Sequence, residues 1–353
     1  MMAGLAGSYR RSKGWVADLV SSPLNLVLTV FGAGVLALAV PPLLDWLWFD
    51  ARFSADSAAG CRETAGACWA VITHKYRLIL FGIYPHDEQW RPLLASVLLV
   101  ALVVVSCVRA FWKSWLALLW LVVLSLVAVL MWGGVAGLVY VENRLWGGLP
   151  LTLILATFGI GLAFPLGVLL ALGRRSDMPA IRALCVVYIE LIRGVPLISL
   201  LFLASVMLPL FMPEGLTIDK LLRVQVAIVC FVAAYIAETV RGGLQAIPSG
   251  QYQSADALGL GYWQKMGAII LPQALRTVVG PLTGIFISLF KDTSLVVVVG
   301  IFDLTQAAKT ALADAQWQGF STEVYLFIAV IYFAFCFAMS RYSHSLERGW
   351  VRQ

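Results

Sequence analysis

Residues 241–276 read RGGLQAIPSGQYQSADALGLGYWQKMGAIILPQALR, and this stretch decides how the rest of the chain is interpreted. It is too polar and too rich in glycine to cross a membrane, yet too regularly patterned to be a flexible linker. Pro248 and Ser249 predict the start of a helix that continues through 251–258, with Ser249 as its cap. Gly259 predicts a left-handed turn that ends this helix.

A second apolar piece, residues 266–271, follows the glycine and is expected to end at Pro272. A helix, a glycine and a second helix would form a rigid knob outside the bilayer. Such a knob suits a groove on a soluble partner, whose motion it would pass to the helices on either side. The 241–276 segment is therefore the first candidate for a functional site.

The composition of the whole chain places it in a membrane. Of its 353 residues, 61% are hydrophobic and 12% are charged, whereas about 25% of the residues in a soluble domain are charged. The formal net charge is +6. The basic residues lie in loops between apolar runs and form no stripe, which argues against nucleic acid as a partner and for the lipid bilayer.

Eight apolar runs approach the length of about 20 residues that a helix needs to cross a bilayer. They are residues 24–44, 93–108, 116–141, 151–172, 183–211, 222–244, 278–301 and 324–339. The second is short and the fifth is long. Together they predict an all-α protein with about eight transmembrane helices.

The loops between these runs predict orientation, because Lys and Arg concentrate in cytoplasmic loops. One side holds most of them, namely Arg10, Arg11, Lys13, Arg109, Lys113, Arg174, Arg175, Arg182, those of the 241–276 segment, Arg341, Arg348 and Arg352. Both termini and the 241–276 segment are therefore expected in the cytoplasm. No signal-peptide cleavage pattern follows the first run, so we interpret it as an uncleaved helix of the inner membrane.

The chain changes character near Glu142, and we predict two parts. Residues 1–148 form an extension of three almost purely apolar helices, with a periplasmic loop at about 45–91. Residues 149–353 carry charged and polar side chains inside apolar runs. Charge within a membrane is costly and usually functional, so we expect transport to depend on this second part.

Few residues suggest catalytic or metal chemistry. Cys61 and Cys68 share the 45–91 loop, and we expect either a disulfide in an oxidising periplasm or two unrelated thiols. The three histidines lie in separate loops, so we expect no metal site and no cofactor. The sequence contains no G-x-x-x-x-G-K-[ST] pattern, which predicts that the chain is not an ATPase.

Two pairs of opposite charges stand three residues apart, a spacing that puts each pair on one helix face. Glu190 and Arg193 are expected to neutralise each other, and Pro196 to kink the fifth run just after them. This first pair is either a structural contact at the membrane surface or part of gating or subunit contact, and with Pro196 it is a candidate for the translocation path and substrate contact. Glu238 and Arg241 are expected to anchor the start of the polar segment that follows.

A further pair of charges lies within the seventh apolar run. Lys291 and Asp292 are adjacent and therefore point in different directions on a helix, with Thr293 and Ser294 after them. Near the middle of a bilayer, both charges need partners elsewhere. A zwitterionic amino acid suits them, because transporters commonly bind substrate at this depth. The alternative is a charge bridge to another helix or to a partner subunit.

The 241–276 segment resembles the EAA loop of ABC-importer permeases, whose pattern is Glu-Ala-Ala, three residues, Gly, nine residues and Ile-x-Leu-Pro. This sequence keeps the full spacing and matches at Ala255, Gly259, Ile269, Leu271 and Pro272. It departs from the pattern at Gln253, which can form hydrogen bonds but lacks the charge of glutamate, and at Ser254.

Three further stretches resemble the polar amino-acid branch of that family, the histidine and glutamine type. They are residues 190–197, 237–243 and 291–295. The resemblance covers the chain from residue 149 to the C-terminus, which corresponds to the five-helix core of the family. The three-helix extension is similar to that of one permease subunit of general L-amino-acid transporters.

The resemblance implies a type I ABC-importer core in the last five helices. It implies pairing with a second permease around a central path, with a different chain favoured as the partner. ATPase subunits would dock on the 241–276 segment, and a periplasmic binding protein would deliver a polar or general L-amino acid. This chain would be the non-catalytic membrane subunit, and a separate subunit would hydrolyse ATP.

An ion-coupled secondary transporter of amino acids is the alternative interpretation. It predicts inverted repeats of discontinuous helices, and the sequence has no convincing internal repeat. An intramembrane enzyme would need a convergent nucleophile and base, which the sequence does not supply. A non-transporting accessory subunit is disfavoured by the intact spacing of the 241–276 segment.

Overall fold

The structure is a computed structural model that describes residues 19–215 and 217–351. Its helices are α1 Pro23–Leu44, α2 Ala58–Arg62, α3 Ala70–Phe81, α4 Trp90–Cys107, α5 Trp115–Trp132, α6 Gly148–Arg174, α7 Pro179–Gly194, α8 Leu197–Phe202, α9 Lys220–Gln245, α10 Ser249–Ala257, α11 Tyr262–Lys265, α12 Leu271–Thr277, α13 Val279–Asp292, α14 Leu304–Leu312 and α15 Ser321–Val351. These described ranges contain no β-strand, so the predicted all-α class is confirmed. The basic residues Arg10, Arg11, Lys13 and Arg352, which contribute to the predicted orientation, lie outside them.

Within the described ranges, seven helices are long and apolar enough to cross a membrane. An eighth crossing is formed if α7 and the helical piece that begins with α8 are counted together, although they meet at a bend of 103°. Pro196 separates them with extended backbone at ψ 142°, and proline has no N–H with which to continue a helix. The predictions of about eight transmembrane helices and of a kink at this position are confirmed.

The predicted third transmembrane run, residues 116–141, is too long, because α5 ends at Trp132. Gly133 and Gly134 follow with φ of +68° and +76°, a conformation that cannot continue a right-handed helix. The chain then turns back, since the Val141 N–H donates to the Trp132 carbonyl over 2.7 Å. The remaining apolar residues therefore form a tight turn.

Contacts divide the chain into two units, residues 1–73 and residues 74–353. In the described part of the first unit, α1 buries almost none of its side chains, as expected for a helix that faces lipid. Cys61 at the end of α2 and Cys68 before α3 form a disulfide, with their Cα atoms 5.6 Å apart. In the second unit, α4 packs against α5 and α6.

The core of the second unit is built around α9, which packs along α6 and also contacts α7, α12 and α13. Small residues permit close approach, as in other membrane helix pairs. A Cβ atom at Gly167 on α6 would lie 2.6 Å from the Ile236 Cγ2 atom on α9. Ile228, Ile236 and Leu244 on α9 are buried. α9 thus connects α6 and α7, which precede it in the chain, with α12 and α13, which follow the turn at Gly259.

Replacing Gly243 by alanine tests the close approach between α9 and α12. The added Cβ would lie 2.6 Å from the Ala274 carbonyl oxygen and 2.9 Å from the Val278 Cγ1 atom. We therefore expect Gly243→Ala to destabilise the protein by about 1–3 kcal/mol through overpacking. Gly242→Ala is the matched control, because nothing lies within 4 Å of its Cβ position, and alanine is favourable in a helix. Thermal unfolding in detergent compares the two, and equal midpoints would contradict tight packing at residue 243.

Candidate functional site

The 241–276 segment forms two short helices on either side of a glycine. Gly259 follows α10 with φ of +70°, so the predicted left-handed turn is confirmed. The Gly259 N–H donates to the Asp256 carbonyl (2.9 Å) and the Leu260 N–H to the Ala255 carbonyl (3.2 Å). These two bonds are those of a Schellman motif, which satisfies the last carbonyls of a helix.

Two local predictions for this segment are wrong. Ser249 does not cap α10, because it is already the first helical residue, and no side chain caps this helix. Pro248 takes the cap position with its extended backbone at ψ 140°. Pro272 does not end the second piece. The helix continues through a π-helical turn at Met266–Ile270 into α12, and Pro272 lies directly after this turn, where the regular hydrogen-bond pattern is interrupted.

Side chains tie α10 firmly to its surroundings. The Tyr252 hydroxyl donates to the Leu244 carbonyl in the last turn of α9 (3.2 Å). It also accepts from Arg175 Nη1 (3.1 Å), and the Arg175 guanidinium lies 5.6 Å from the centre of the Tyr252 ring. Lys265 Nζ on α11 lies 2.5 Å from the Asp256 carboxylate on α10. The two short helices are therefore held to each other and to the end of α9.

The outer surface of this segment carries large apolar side chains. Leu258 is 75% exposed and Trp263 is 69% exposed. Gln253 and Ser254 are exposed beside them, whereas Ala255 is buried. The other residues matched by the EAA pattern are Gly259 and Pro272, which are exposed, and Ile269 and Leu271, which are half-buried. Exposed leucine and tryptophan on a rigid polar segment are typical of a surface that binds another protein.

Five charged side chains, which we name the Glu238 cluster, lie at the root of the segment. The Glu238 carboxylate on α9 contacts Arg241 on the same helix (2.5 Å), Arg174 at the end of α6 (3.3 Å) and Arg193 near the end of α7 (3.8 Å). Arg174 also contacts Glu190 on α7 (2.8 Å). One carboxylate thus links three helices, and charge-assisted contacts are stronger than neutral ones.

Of the two ion pairs predicted from residue spacing, one is present in the Glu238 cluster and the other is not. The predicted pair on α9 is present. The predicted pair between Glu190 and Arg193 is wrong, because Arg193 contacts Glu238 and lies 5.7 Å from the centre of the Tyr235 ring. Glu190 contacts Arg174 instead. Sequence reasoning missed Arg174 as a site residue, since its position after an apolar run gave only a signal of orientation.

A groove lies between the end of α13, α14 and α15. It is lined by Lys291, Ser294, Thr305, Tyr325 and Tyr332, together with two apolar residues of α15. The Lys291 side chain is exposed and forms no ion pair with any residue that the structure describes. A cation in a membrane-crossing run needs a negative partner. The groove can therefore accept an anionic group beside several hydroxyls.

Lys291 and Asp292 lie inside the membrane-crossing span Val279–Val299, as predicted, at the point where its α-helical part ends. α13 ends at Asp292, and Thr293 begins a 3₁₀-helical turn. The buried Thr293 hydroxyl donates to the Phe290 carbonyl (2.8 Å), and the Ser294 hydroxyl donates to the Lys291 carbonyl (2.7 Å). These local bonds pair carbonyls at the point where the regular α-helical pattern stops.

Known proteins share a large part of this chain. The model of the family described as "Binding-protein-dependent transport system inner membrane component" matches residues 163–352, which is more than half of the sequence. The chain belongs to this family. The matched range contains the 241–276 segment, the Glu238 cluster and the groove around Lys291.

Two bacterial permeases resemble this transport component over nearly its full length. It is 49% identical over 346 residues to the inner membrane amino-acid ABC transporter permease protein YhdY of Escherichia coli K12, covering 96% of this chain and 93% of that protein. It is 39% identical to the glutamate/glutamine/aspartate/asparagine transport system permease protein BztC of Rhodobacter capsulatus, covering 95% and 92%. A chain from the crystal structure of an amino acid ABC transporter with histidines is 32% identical, with a TM-score of 0.50 over 56% of this chain and 89% of that one.

In this inner-membrane component, the two glutamates of the Glu238 cluster offer a matched test. Glu238→Gln removes the charge that three guanidinium groups share, and we expect it to destabilise the protein by about 1–3 kcal/mol. Glu190→Gln should cost less than about 1 kcal/mol, because that carboxylate contacts one arginine and is more than half exposed. Thermal unfolding of both variants in detergent measures the difference. If Glu190→Gln is as destabilising as Glu238→Gln, the cluster has no central carboxylate.

Proposed function

We propose that this chain is the membrane-spanning permease subunit of an ATP-driven importer of polar or general L-amino acids. Its family membership makes it an inner-membrane transport component, and the substrate class is supported by the two full-length relatives, both amino-acid permeases by name. The observation that carries the proposal is the rigid 241–276 segment, with Leu258 and Trp263 exposed on its surface. The same similarities give no support to an ion-coupled transporter.

The 241–276 segment receives the motion of separate ATPase subunits. Leu258 and Trp263 enter a groove on the ATPase, and Gln253 forms hydrogen bonds at its edge. Displacement of α10 passes through Tyr252 to Arg175, which follows α6 directly. The Glu238 cluster passes it on to α6, α7 and α9. Permeases of this family do not hydrolyse ATP, so the chemistry belongs to the ATPase.

The remaining partners follow from the same proposal. A second permease, most simply a different chain, pairs with this one around the path. A periplasmic binding protein delivers the amino acid at the end of the bundle opposite the 241–276 segment, and both termini lie in the cytoplasm. Residues 149–353 form the transport core, and residues 1–148 form an extension to it.

The groove around Lys291 is the proposed contact for the amino-acid carboxylate. The ammonium group supplies the charge, and the hydroxyls of Ser294, Thr305, Tyr325 and Tyr332 supply hydrogen bonds. Asp292 follows Lys291 in the chain and is half-buried, although it does not line the groove, and it is the candidate for the amino group. A charge bridge from Lys291 to the second permease is the alternative.

Glu190, Arg193 and Pro196 have a different proposed role. Both charges are already paired within the Glu238 cluster, so we assign these residues to gating at the bend between α7 and α8 and not to contact with substrate.

Substitution of Gly259 tests the coupling role. Nothing lies within 4 Å of its Cβ position, so a side chain there acts only through the backbone, at φ +70°. We expect Gly259→Val to abolish most ATP-driven uptake, because the left-handed conformation costs an ordinary residue about 1–2 kcal/mol. Gly259→Asn should keep most activity, since asparagine tolerates this conformation. Uptake in liposomes with binding protein measures both, and normal uptake by Gly259→Val at equal insertion would refute the role.

Substitution of Lys291 tests the substrate contact. We expect Lys291→Gln to raise the KM for uptake about 10- to 100-fold, the effect of losing a charge-assisted hydrogen bond worth about 1.5–3 kcal/mol. Lys309→Gln on α14 is the control, because Lys309 is exposed and outside the groove. An unchanged KM would rule out the contact. Loss of the second permease from the purified complex would support the charge bridge instead.

Co-purification from native membranes tests the proposed function as a whole. We expect the tagged chain to bring down an ATPase subunit and a second permease, and to support ATP-driven amino-acid uptake in liposomes. Scrambling residues 249–272 should release the ATPase and leave the second permease bound. A chain that purifies alone and transports without ATP would overturn the proposal in favour of the ion-coupled alternative.

A further inference from the structure

The 301–320 segment of the core, which contains α14, lies at the end of the bundle opposite the 241–276 segment. Topology requires this, because α13 begins next to the 241–276 segment and leads away from it. The 301–320 segment then connects α13 to α15. It contacts α3 of the extension, a helix that precedes the matched family range. The contacts of α3 from His74 onward lie within the second unit.

The first contact is at the far end of the 301–320 segment. Lys75 Nζ lies 2.5 Å from the Asp314 carboxylate, which also accepts the Gln316 N–H (2.9 Å). The hydrogen bond from Lys75 holds the pKa of Asp314 below its usual value. The ring of His74 lies 5.0 Å from the ring of the buried Trp317.

The second contact is at the near end of the segment and is made by glycine. Gly82 follows α3 with φ of +62°, and a Cβ atom there would lie 2.8 Å from Gly147 Cα and 2.9 Å from Phe302 Cδ1. The Gly148 N–H donates to the Phe302 carbonyl (2.9 Å). Three parts of the chain thus meet with no room for a side chain: the end of α3, the start of α6 and the start of the 301–320 segment.

These two contacts show that residues 74–82 run in the direction opposite to the 301–320 segment, since residues 74 and 75 meet its far end and Gly82 meets its near end. From residue 74 to residue 82 a helix rises about 12 Å, at 1.5 Å per residue. α14 has nine residues, which is about 13 Å. At its own start α14 is fixed by the buried Asp303, which accepts the Thr305 and Gln306 N–H groups. The Leu304 N–H also donates to the Thr152 hydroxyl of α6.

We propose that residues 74–82 of the extension are a splint that holds the 301–320 segment against the start of α6, so that the two move as one body. The part of the proposal that concerns transport rests on the proposed function. Lys75 and Gly82 are positioning residues in this scheme, because they contact the core and not the substrate. The path then opens at this end by movement of other elements, and the bend between α7 and α8 is the place where the crossing helices are already broken.

Hydrogen exchange of the intact complex in lipid nanodiscs tests the splint without any transport assay. Lys75→Glu places two carboxylates together, and we expect exchange within residues 304–317 to rise about 10-fold or more, as in local opening. The double reversal Lys75→Glu/Asp314→Lys should restore the original rate. Arg77→Glu is the control on the same helix, since Arg77 contacts His86 instead. An unchanged rate in Lys75→Glu, or an increase that the double reversal does not restore, would overturn the splint.

Reversible cross-linking tests whether the segment moves during transport. In Lys75→Cys/Asp314→Cys, a short thiol-specific cross-linker should join α3 to the 301–320 segment, and we expect ATP-driven uptake to be unchanged. Loss of uptake that returns on reduction would show that the two parts must separate, and would overturn the proposal. The parent chain, treated in the same way, controls for the native cysteines. If the parent complex shows no ATP-driven uptake, the proposed function fails, and the exchange experiment still decides the splint.

Discussion

The contacts of the Glu238 carboxylate are the interaction on which the functional part of the molecule most depends. An ionised side chain in a membrane-crossing helix is costly, and removing one partner of such a charge leaves the others uncompensated. Arg174, Arg193 and Arg241 come from three different helices. The cost of burying the charge is therefore offset only while α6, α7 and α9 keep their positions, so the cluster selects one arrangement of helices at the root of the 241–276 segment.

The backbone poses the same problem at the broken helix, because polar groups within a bilayer need internal partners. The piece that begins with α8 continues as a π-helical turn, Leu203–Met207. Arg223 from the first turn of α9 donates through Nη1 to the Ala204 (3.1 Å) and Ser205 (2.6 Å) carbonyls. Its Nε donates to the Ile218 carbonyl (3.1 Å). A cation thus supports irregular backbone at one end of this piece, while the Glu238 cluster lies next to the bend at the other.

The sequence alone predicted the structure correctly wherever one local constraint determines the backbone. Bilayer thickness fixes the length of apolar runs, so the number of crossings was predicted, and the backbone demands at Gly259 and Pro196 can be met by few other residues. The partner of Glu190 was predicted wrongly, because residue spacing indicates only which charges can pair on the same helix. It does not indicate which charge on another helix lies within reach. Arg174 is 64 residues away from Glu238 in the chain, and only the packing of α6 against α9 brings them together. The groove around Lys291 likewise could not be predicted, because its lining residues come from three helices whose packing the sequence does not specify.

The two ends of the second unit are held by different kinds of contact, and this difference bears on where the molecule can move. At the 241–276 end the ties among α6, α7 and α9 include long charged side chains, whose attraction falls slowly with distance and survives small shifts. At the opposite end the ion pair of Lys75 and Asp314 is joined by direct contact of the chain at Gly82, Gly147 and Phe302, and such packing is lost within a fraction of an ångström. A displacement delivered by a partner would therefore be absorbed first by rearrangement of the Glu238 cluster. We infer that the opposite end stays rigid while the angle of the bend between α7 and α8 changes.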